Sequence, residues 1–245
     1  MRTAVYAGTR NLYRDMVAAA KSLIYNDNPD KIYFLTEDDE FPEWLPPQIE
    51  TINVSRQGYF SPYGANARTE FTYMSLMRAC YTKILKEDVV LQLDVDTFVE
   101  DRLDEIWETD MTGKWFSAVP EVQTWYRPYG DPYYNVGVAL FNLKQIREDG
   151  VDDEIIRFLN ETRVNYIDQD AWNCFKSDKA VIMPSRYNES FPTGFSENPA
   201  IVHFAGCRDW QTNPFTNRHE VLVKYRAMTW EDALHGKDTH CRTDV

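Results

Sequence analysis

The chain has 245 residues, 43% of them hydrophobic, and carries a formal net charge of −13 at pH 7. A chain of this length and apolar content can bury the core of one domain. The acidic balance, without a block of Lys and Arg, argues against nucleic acid and anionic membrane surfaces as main partners. An anionic small ligand stays open, because a local Arg or a divalent metal reverses the field at one site.

Strand-like and helix-like patterns alternate along the chain. Apolar runs rich in strand formers predict strands at 3–8, 31–38, 50–55, 88–96, 114–121, 136–143, 179–185 and 199–206. Apolar positions at helical spacing predict helices at 13–24, 68–86, 152–162, 167–176 and 219–234, with a helical turn at 103–108. This alternation favours an α/β domain with a largely parallel sheet that is open at its edges. Ligands of such sheets bind beyond the carboxyl ends of the strands.

We expect a single domain over residues 1–235 and a polar C-terminal tail over 236–245. The cysteines are widely spaced and form no CxxC pair, which indicates reduced thiols and a cytoplasmic protein; they are Cys80, Cys174, Cys207 and Cys241. No stretch approaches the ~18 apolar residues of a membrane span. Peripheral attachment through a partner stays open, as does a homodimer formed through a long final helix at 219–234.

Two carboxylates, Asp94 and Asp96, end the apolar run VVLQL. In a regular strand both side chains would project to the same face, where they repel each other unless a cation or hydrogen-bond donors lie between them. A hard divalent ion such as Mg²⁺ or Mn²⁺ prefers carboxylate oxygen and would neutralise the pair. The alternative is that each Asp is a helix cap or a turn residue.

Three further stretches carry polar residues beside predicted strands or helices. His203 follows a buried strand in PAIVHFAG; it is either a core histidine or the residue that completes an octahedral Mn²⁺ site. Asn135 and Gly137 stand ahead of the strand VGVALFNL. IDQDAWN brings Asp168, Gln169 and Asp170 to the start of a helix, where capping accounts for the two acids and leaves the glutamine unexplained.

Taken in this order, the four stretches resemble the retaining glycosyltransferases of family 8, from about Thr3 to Trp210. The resemblance implies a GT-A-type single domain with a mostly parallel central sheet flanked by helices. It would have a Rossmann-like nucleotide-binding half and a small mixed acceptor-side sheet. The implied reaction moves a hexose from a nucleotide sugar, commonly a UDP-sugar, to a hydroxyl of a saccharide or glycoconjugate acceptor. The implied cofactor is Mn²⁺, with Mg²⁺ as the alternative.

The resemblance also implies roles for particular residues. The metal ligands would be Asp94, Asp96 and His203. The nucleoside would lie against Ala7, Gly8, Thr9, Asn11 and Tyr13, with Thr9 in a place where relatives often carry Asp. The donor sugar would lie against Asn135, Asp168, Gln169 and Asp170, with Gln169 nearest the anomeric carbon.

Arg78, Gly206 and Arg208 are the residues expected at the diphosphate. Gly206 lets the backbone come close to a phosphate. For Arg78 the alternative is a solvated helix face. Relatives usually place a Lys and a Pro in the stretch that reads HFAGCRDW here, which is one residue shorter and has Asp209 in the Pro place. Arg208 is near the Lys place and would grip phosphate bidentately. A catalytically weakened nucleotide- or carbohydrate-binding relative, or a nucleotide-sugar hydrolase, therefore stays open.

Gln169 is an amide and a poor nucleophile, which favours attack of the acceptor from the face that the diphosphate leaves. A covalent route through Asp168 or Asp170 is the alternative. Aromatic side chains in the segment before the strand at 136–143 either stack on acceptor sugars or fill the packing against the sheet; they are Trp125, Tyr126, Tyr129, Tyr133 and Tyr134.

Overall fold

The computed structural model describes residues 1–69, 71–123 and 125–236. Its strands are β1 (Thr3–Ala7), β2 (Lys31–Thr36), β3 (Ile49–Asn53), β4 (Val89–Leu93), β5 (Thr97–Val99), β6 (Phe116–Pro120), β7 (Tyr134–Asn142), β8 (Ala180–Ile182) and β9 (Ile201–His203). Its α-helices are α1 (Tyr13–Asn26), α2 (Met74–Arg78), α3 (Tyr81–Ile84), α4 (Asp104–Trp107), α5 (Leu143–Asp149), α6 (Val151–Glu161), α7 (Ile167–Phe175), α8 (His219–Ala227) and α9 (Trp230–His235). Single 3₁₀ turns form at Arg10–Leu12 and Ser185–Tyr187. The expected polar tail lies, apart from Gly236, outside the described residues.

Within the described residues, the central sheet has seven strands in the order β3-β2-β1-β4-β7-β6-β8. Only β7 runs antiparallel to its neighbours β4 and β6, so the sheet is mostly parallel, as the sequence predicted. The four strands from β3 to β4 are the Rossmann-like half. A second, small sheet consists of β5 and β9, which pair antiparallel.

The sheet is covered on both faces because its strands are apolar on both sides. Along β1, for example, Ala4 and Tyr6 pack into one apolar layer and Val5 into the other. The first layer contains α1 and α8, and the second contains α2, α5, α6 and α7. The helices cover the two faces of the sheet and leave the ends of its strands uncovered.

Two long predicted helices are each broken in the structure. The prediction of one helix over 68–86 was wrong: α2 begins at Met74, and α3 follows after Cys80 leaves helical geometry. The hydroxyl of Thr69 accepts the amide of Phe71 and donates to its carbonyl, a local bonding pattern that competes with helix formation.

The second broken helix is the one predicted over 219–234. Met228 is extended, and Thr229 is the N-cap of α9, with a capping box in which its hydroxyl accepts the amide of Asp232. The expectation of a homodimer rested on one long final helix; two shorter helices, α8 and α9, take its place, and the homodimer itself stays a prediction. Helix α5 was not predicted; Asn142 begins it by accepting the amide of Gln145.

Candidate active site

The candidate site lies at one edge of the central sheet. Strands β1, β4 and β6 run in the same direction, so their carboxyl ends meet there together with the start of the antiparallel β7. The residues that follow these ends are Gly8, Asp94 and Glu121, and β7 begins with Tyr134 and Asn135. This is the edge at which open α/β sheets bind ligands.

Asp94, Asp96 and His203 converge at this edge. Strand β4 ends at Leu93, so the expectation that both aspartates lie in a regular strand was wrong; they occupy a tight turn in which the amide of Thr97 donates to the carbonyl of Asp94 at 3.1 Å. Strand β5 begins at Thr97, which pairs directly with His203 of β9. This register sets Asp96 beside the histidine although the two are far apart in the sequence.

The three side chains are close enough to share one cation. Nε2 of His203 lies 3.7 Å from Oδ2 of Asp94 and 3.3 Å from Oδ1 of Asp96. One ligand atom from each residue lies within 4.8 Å of the other two. Nδ1 of the histidine is engaged by Oδ1 of Asn188 at 2.8 Å, so Nε2 is the nitrogen that faces the carboxylates. Two carboxylate oxygens and one imidazole nitrogen fit a divalent ion such as Mn²⁺.

Arg78 connects the aspartate pair to the start of α7. Its Nη1 donates to Oδ1 of Asp94, and its Nη2 donates to Oδ1 of Asp168 at 2.9 Å. The side chain of Arg78 is largely buried, so the alternative of a solvated helix face was wrong. Asp168 is 1% exposed, and its Oδ2 has no hydrogen-bond partner within the described chain. Burial raises the pKa of Asp168, and the charge of Arg78 opposes that rise.

A row of amides and one carboxylate continues from the start of α7 to β7. Nε2 of Gln169 and Nδ2 of Asn135 both donate to Oε1 of Glu121 at 3.0 Å. Oε1 of Gln169 accepts the amide of Val136 at 3.3 Å. Burial raises the pKa of Glu121, while the two amide donors act to lower it. Sequence reasoning missed Glu121, although its position directly after the carboxyl end of β6 is equivalent to that of Asp94 after β4.

Asp170 is buried and both of its carboxylate oxygens are engaged, contrary to its predicted role as a donor contact. It is fully buried, and its Oδ1 accepts the hydroxyl of Tyr133 at 2.6 Å. Its Oδ2 accepts the hydroxyl of Tyr126 at 2.8 Å and the amides of Asn165 and Tyr166 at 2.9 Å each. With both oxygens engaged, the carboxylate holds the loop that precedes α7. This packing argues against a covalent route through Asp170.

The aromatic segment before β7 divides between packing and exposure. Tyr133 and the first residue of β7, Tyr134, are buried. The ring centroids of Tyr126 and Tyr166 lie 5.0 Å apart. Trp125 is 70% exposed. The packing alternative therefore holds for the buried tyrosines, and the stacking alternative stays a prediction for Trp125.

The loop after β1 carries the predicted nucleoside residues. Ala7 ends β1, and the amide of Gly8 donates to the carbonyl of Leu35 at 3.1 Å. The hydroxyl of Thr9 donates to Oδ1 of Asn11 at 2.7 Å, and both residues are accessible. Tyr13 is 3% exposed and its hydroxyl is bound by the loop after β2, so its ring offers no open face to a base, contrary to its predicted contact.

The expected diphosphate residues after His203 lie in an exposed turn. The amide of Cys207 donates to the carbonyl of Phe204 at 3.1 Å, and Gly206 takes a positive φ of 79°, which glycine adopts without strain. Arg208 is exposed. Cys80, Cys174 and Cys207 are free thiols, and Cys241 lies outside the described residues.

The sequence model described as Glycosyl transferase family 8 matches residues 5–213 of this chain. The chain belongs to this family. This membership agrees with the resemblance seen in the sequence motifs.

Curated relatives of the chain are longer glycosyltransferases. Glycosyltransferase GlyD of Streptococcus pneumoniae is 25% identical over 94% of this chain and 30% of its own length. Glycosyltransferase GlyF of the same organism is 24% identical over 95% of this chain and 63% of its own length. The chain thus spans less than two thirds of either protein.

Solved structures share the fold of this family 8 chain. The galactosyltransferase LgtC, solved with donor and acceptor sugar analogues, matches with a TM-score of 0.73 at 20% identity, over 94% of this chain and 98% of LgtC. Glycosyltransferase GlyE of Streptococcus pneumoniae matches with a TM-score of 0.73 at 22% identity, over 96% of this chain and 62% of GlyE. Across the part of the chain that the structure describes, no helix is both long and apolar enough to cross a bilayer.

Proposed function

We propose that this chain is a retaining hexosyltransferase that moves a sugar from a UDP-sugar to an acceptor hydroxyl with the help of Mn²⁺ or Mg²⁺. The observation that carries the proposal is the convergence of Asp94, Asp96 and His203 beside the buried Arg78. Two carboxylates at this edge would repel a diphosphate unless a cation lies between them. The shared fold of LgtC, a galactosyltransferase solved with donor and acceptor sugar analogues, supports a hexose as the transferred group.

Asp94, Asp96 and His203 would hold the divalent ion, which when bound would supply positive charge at the diphosphate and Lewis acidity toward the leaving oxygen. Arg78 donates to Asp94 and would add a fixed positive charge beside the diphosphate. We assign Gly206 and Arg208, in the turn after His203, to the diphosphate as well. Ala7, Gly8, Thr9 and Asn11 are assigned to the nucleoside, because their loop leaves the carboxyl end of β1 at the same edge.

Asn135, Asp168 and Gln169 are assigned to the donor sugar. Asp168 keeps one oxygen on Arg78, and its other oxygen, which has no partner among the described residues, would accept a sugar hydroxyl. Gln169 is held by Val136 and Glu121, so its amide is fixed where the anomeric carbon would lie. Glu121 adds negative charge beside this amide and would favour an oxocarbenium-like ring.

The reaction that fits these side chains is attack from the face that the diphosphate leaves. The bond from the anomeric carbon to the leaving phosphate oxygen breaks while the bond to the acceptor oxygen forms, and the acceptor proton passes to that phosphate oxygen. Gln169 carries no nucleophilic lone pair comparable to a carboxylate. Asp168 remains the alternative nucleophile, although its ion pair with Arg78 holds it in place and lowers its nucleophilicity.

Thermal unfolding with UDP and Mn²⁺ tests the proposal. Ligand at one hundred times Kd adds about 2.7 kcal/mol to the unfolding free energy, so UDP should raise Tm by several degrees, and only when Mn²⁺ is present. Asp96→Asn should abolish the shift, whereas Asp178→Asn, an exposed carboxylate on another part of the surface, should keep it. An equal shift in the parent and in Asp96→Asn would contradict the metal site.

Release of UDP separates the transferase from its rivals. A panel of UDP-hexoses is incubated with Mn²⁺, with and without saccharide acceptors. A transferase releases UDP slowly alone and faster with its acceptor, whereas a nucleotide-sugar hydrolase shows no acceleration. A catalytically weakened binding protein would show the Mn²⁺-dependent thermal shift and release no UDP. That result would support the proposed metal site and contradict the transfer reaction.

A further inference from the structure

Behind the metal ligand His203 lies a buried asparagine that no sequence motif pointed to. Asn188 is fully buried, and its Oδ1 lies 2.8 Å from Nδ1 of His203. Its Nδ2 donates to Oδ1 of Asn135 at 3.0 Å. Asn188 thus contacts both the proposed metal site and the proposed sugar site through one amide group.

The backbone of β7 fixes which way this amide points. The amide N–H of Gly137 donates to Oδ1 of Asn135 at 3.1 Å, and a backbone N–H can only donate. The atom of Asn135 at this place is therefore its carbonyl oxygen, and the group of Asn188 that faces it must be the NH₂. The other atom of that side chain, its carbonyl oxygen, then faces His203.

The tautomer of His203 follows from this orientation. A carbonyl oxygen only accepts, so Nδ1 of the neutral imidazole must carry the hydrogen. The lone pair is left on Nε2, which is the nitrogen beside Asp94 and Asp96. At the other end of the row, the carboxylate of Glu121 accepts from Nδ2 of Asn135, which is consistent with the same polarity.

We infer that Asn188 is a positioning residue for the metal site: it holds the His203 ring in the Nδ1–H tautomer and ties it to Asn135 and thereby to the row of Glu121 and Gln169. The inference rests on the proposed function, because it concerns the ligand set of that metal. The segment of Asn188 is well placed for this role. His203 donates its backbone amide to the carbonyl of Glu189 at 2.8 Å, so the two segments are joined by main chain as well as by side chains.

A metal-affinity measurement on Asn188→Ala tests the inference. Loss of a hydrogen-bond partner behind a ligating histidine typically weakens metal binding 10- to 100-fold. Titration with Mn²⁺, followed by the electron paramagnetic resonance of the free ion with and without UDP, should show a loss of this size. The matched control is Asn66→Ala: Asn66 is also buried and makes three hydrogen bonds, all to backbone groups of 159–164. Its Mn²⁺ affinity should equal that of the parent.

Nitrogen NMR of the parent protein gives a second readout that does not depend on a variant folding. With the imidazole neutral and no metal added, the ring of His203, assigned by its loss in His203→Gln, should show the hydrogen on Nδ1. The opposite tautomer would overturn the inference. If Asn188→Ala fails to fold, this spectrum decides alone.

The two proposals fail in different ways. If the parent binds Mn²⁺ through Asp96 and Asn188→Ala binds it equally well, the inference about Asn188 is wrong and the proposed metal site stands. If the parent shows no Mn²⁺ binding that Asp96→Asn removes, the proposed function loses its metal, and with it the role given to Asn188.

Discussion

Gly137 and His203 are in such close contact that the strand residue cannot carry a side chain without moving the ring. A Cβ atom built on Gly137 would overlap Cε1 of His203 and would lie 2.9 Å from Oδ2 of Asp94. Distances of this kind do not occur between non-bonded heavy atoms in well-packed proteins. Because Gly137 lies within the regular strand β7, the reason for glycine here is space for the proposed metal ligands and not backbone conformation.

Gly137→Ala should therefore damage the proposed metal site. The methyl group pushes the imidazole or the Asp94 carboxylate away from the shared position, and overpacking of this kind typically costs 1–3 kcal/mol. We expect the Mn²⁺-dependent thermal shift with UDP to disappear while the far-UV circular dichroism stays that of the parent. The control is Gly58→Ala, since a Cβ there meets no atom within 4 Å. A full thermal shift in Gly137→Ala would show that the His203 ring and the Asp94 carboxylate can move aside without loss of metal-dependent binding.

Arg78 and Asp168 should behave as one unit in stability measurements. Both are largely buried, and removing one partner of a buried ion pair costs about 3–5 kcal/mol because the other charge is left uncompensated. We expect Arg78→Met and Asp168→Asn each to lower the unfolding free energy, and the double variant to lose clearly less than the sum. Urea unfolding of the four proteins measures this coupling. Additive losses would mean that the two side chains do not stabilise each other.

The sequence predicted those parts of the fold that depend on local pattern. Apolar strands ended by polar residues predicted the sheet and the edge at which the candidate site lies, and the Asp-x-Asp pair with His203 predicted the candidate metal ligands. The same pattern failed at 68–86 and 219–234, because the apolar spacing continues across Cys80 and Met228 while the helical backbone conformation does not.

Roles that depend on a partner distant in the sequence were harder to predict. In the sequence, Asp170 looks like one of two equivalent acids in DQD; its hydrogen bonds to Tyr126 and Tyr133 in the fold indicate an anchoring role. Glu121 and Asn188 stand in no motif, and their importance comes from what β7 brings beside them. A single sequence shows which side chains are present, but which of them pair in such a network depends on the fold.

Glu121 should give the stability of the protein a measurable dependence on pH. Burial raises the pKa of its folded-state carboxyl above the ordinary value of 4.5. Its contribution to the free energy of unfolding is therefore fully present below the unfolded-state pKa and is lost as pH rises through the folded-state pKa. Parent and Glu121→Gln should be unfolded in urea at several pH values between about 4 and about 7. The stability of the parent relative to the variant should fall across this range, and a rise would contradict the direction of the pKa shift.

The last prediction separates an anchoring role for Asp170 from a donor-binding one. In Asp170→Asn the amide oxygen can still accept the backbone amides of Asn165 and Tyr166, and the hydroxyl of Tyr133 can turn to accept from the new NH₂ group. In Asp170→Ala all these donors lose their acceptor inside the protein, at about 1–3 kcal/mol for each one that stays buried. We expect Asp170→Asn to lose about 1 kcal/mol of unfolding free energy, with the shift by UDP and Mn²⁺ retained, and Asp170→Ala to lose at least about 3 kcal/mol. Urea unfolding and the thermal shift measure the two quantities independently. If Asp170→Asn keeps its stability and loses the thermal shift, the carboxylate contacts the donor and the anchoring role is wrong. The reason is that the protein would then fold equally well with a carboxylate or an amide at this position, and only the bound ligand would distinguish the two groups.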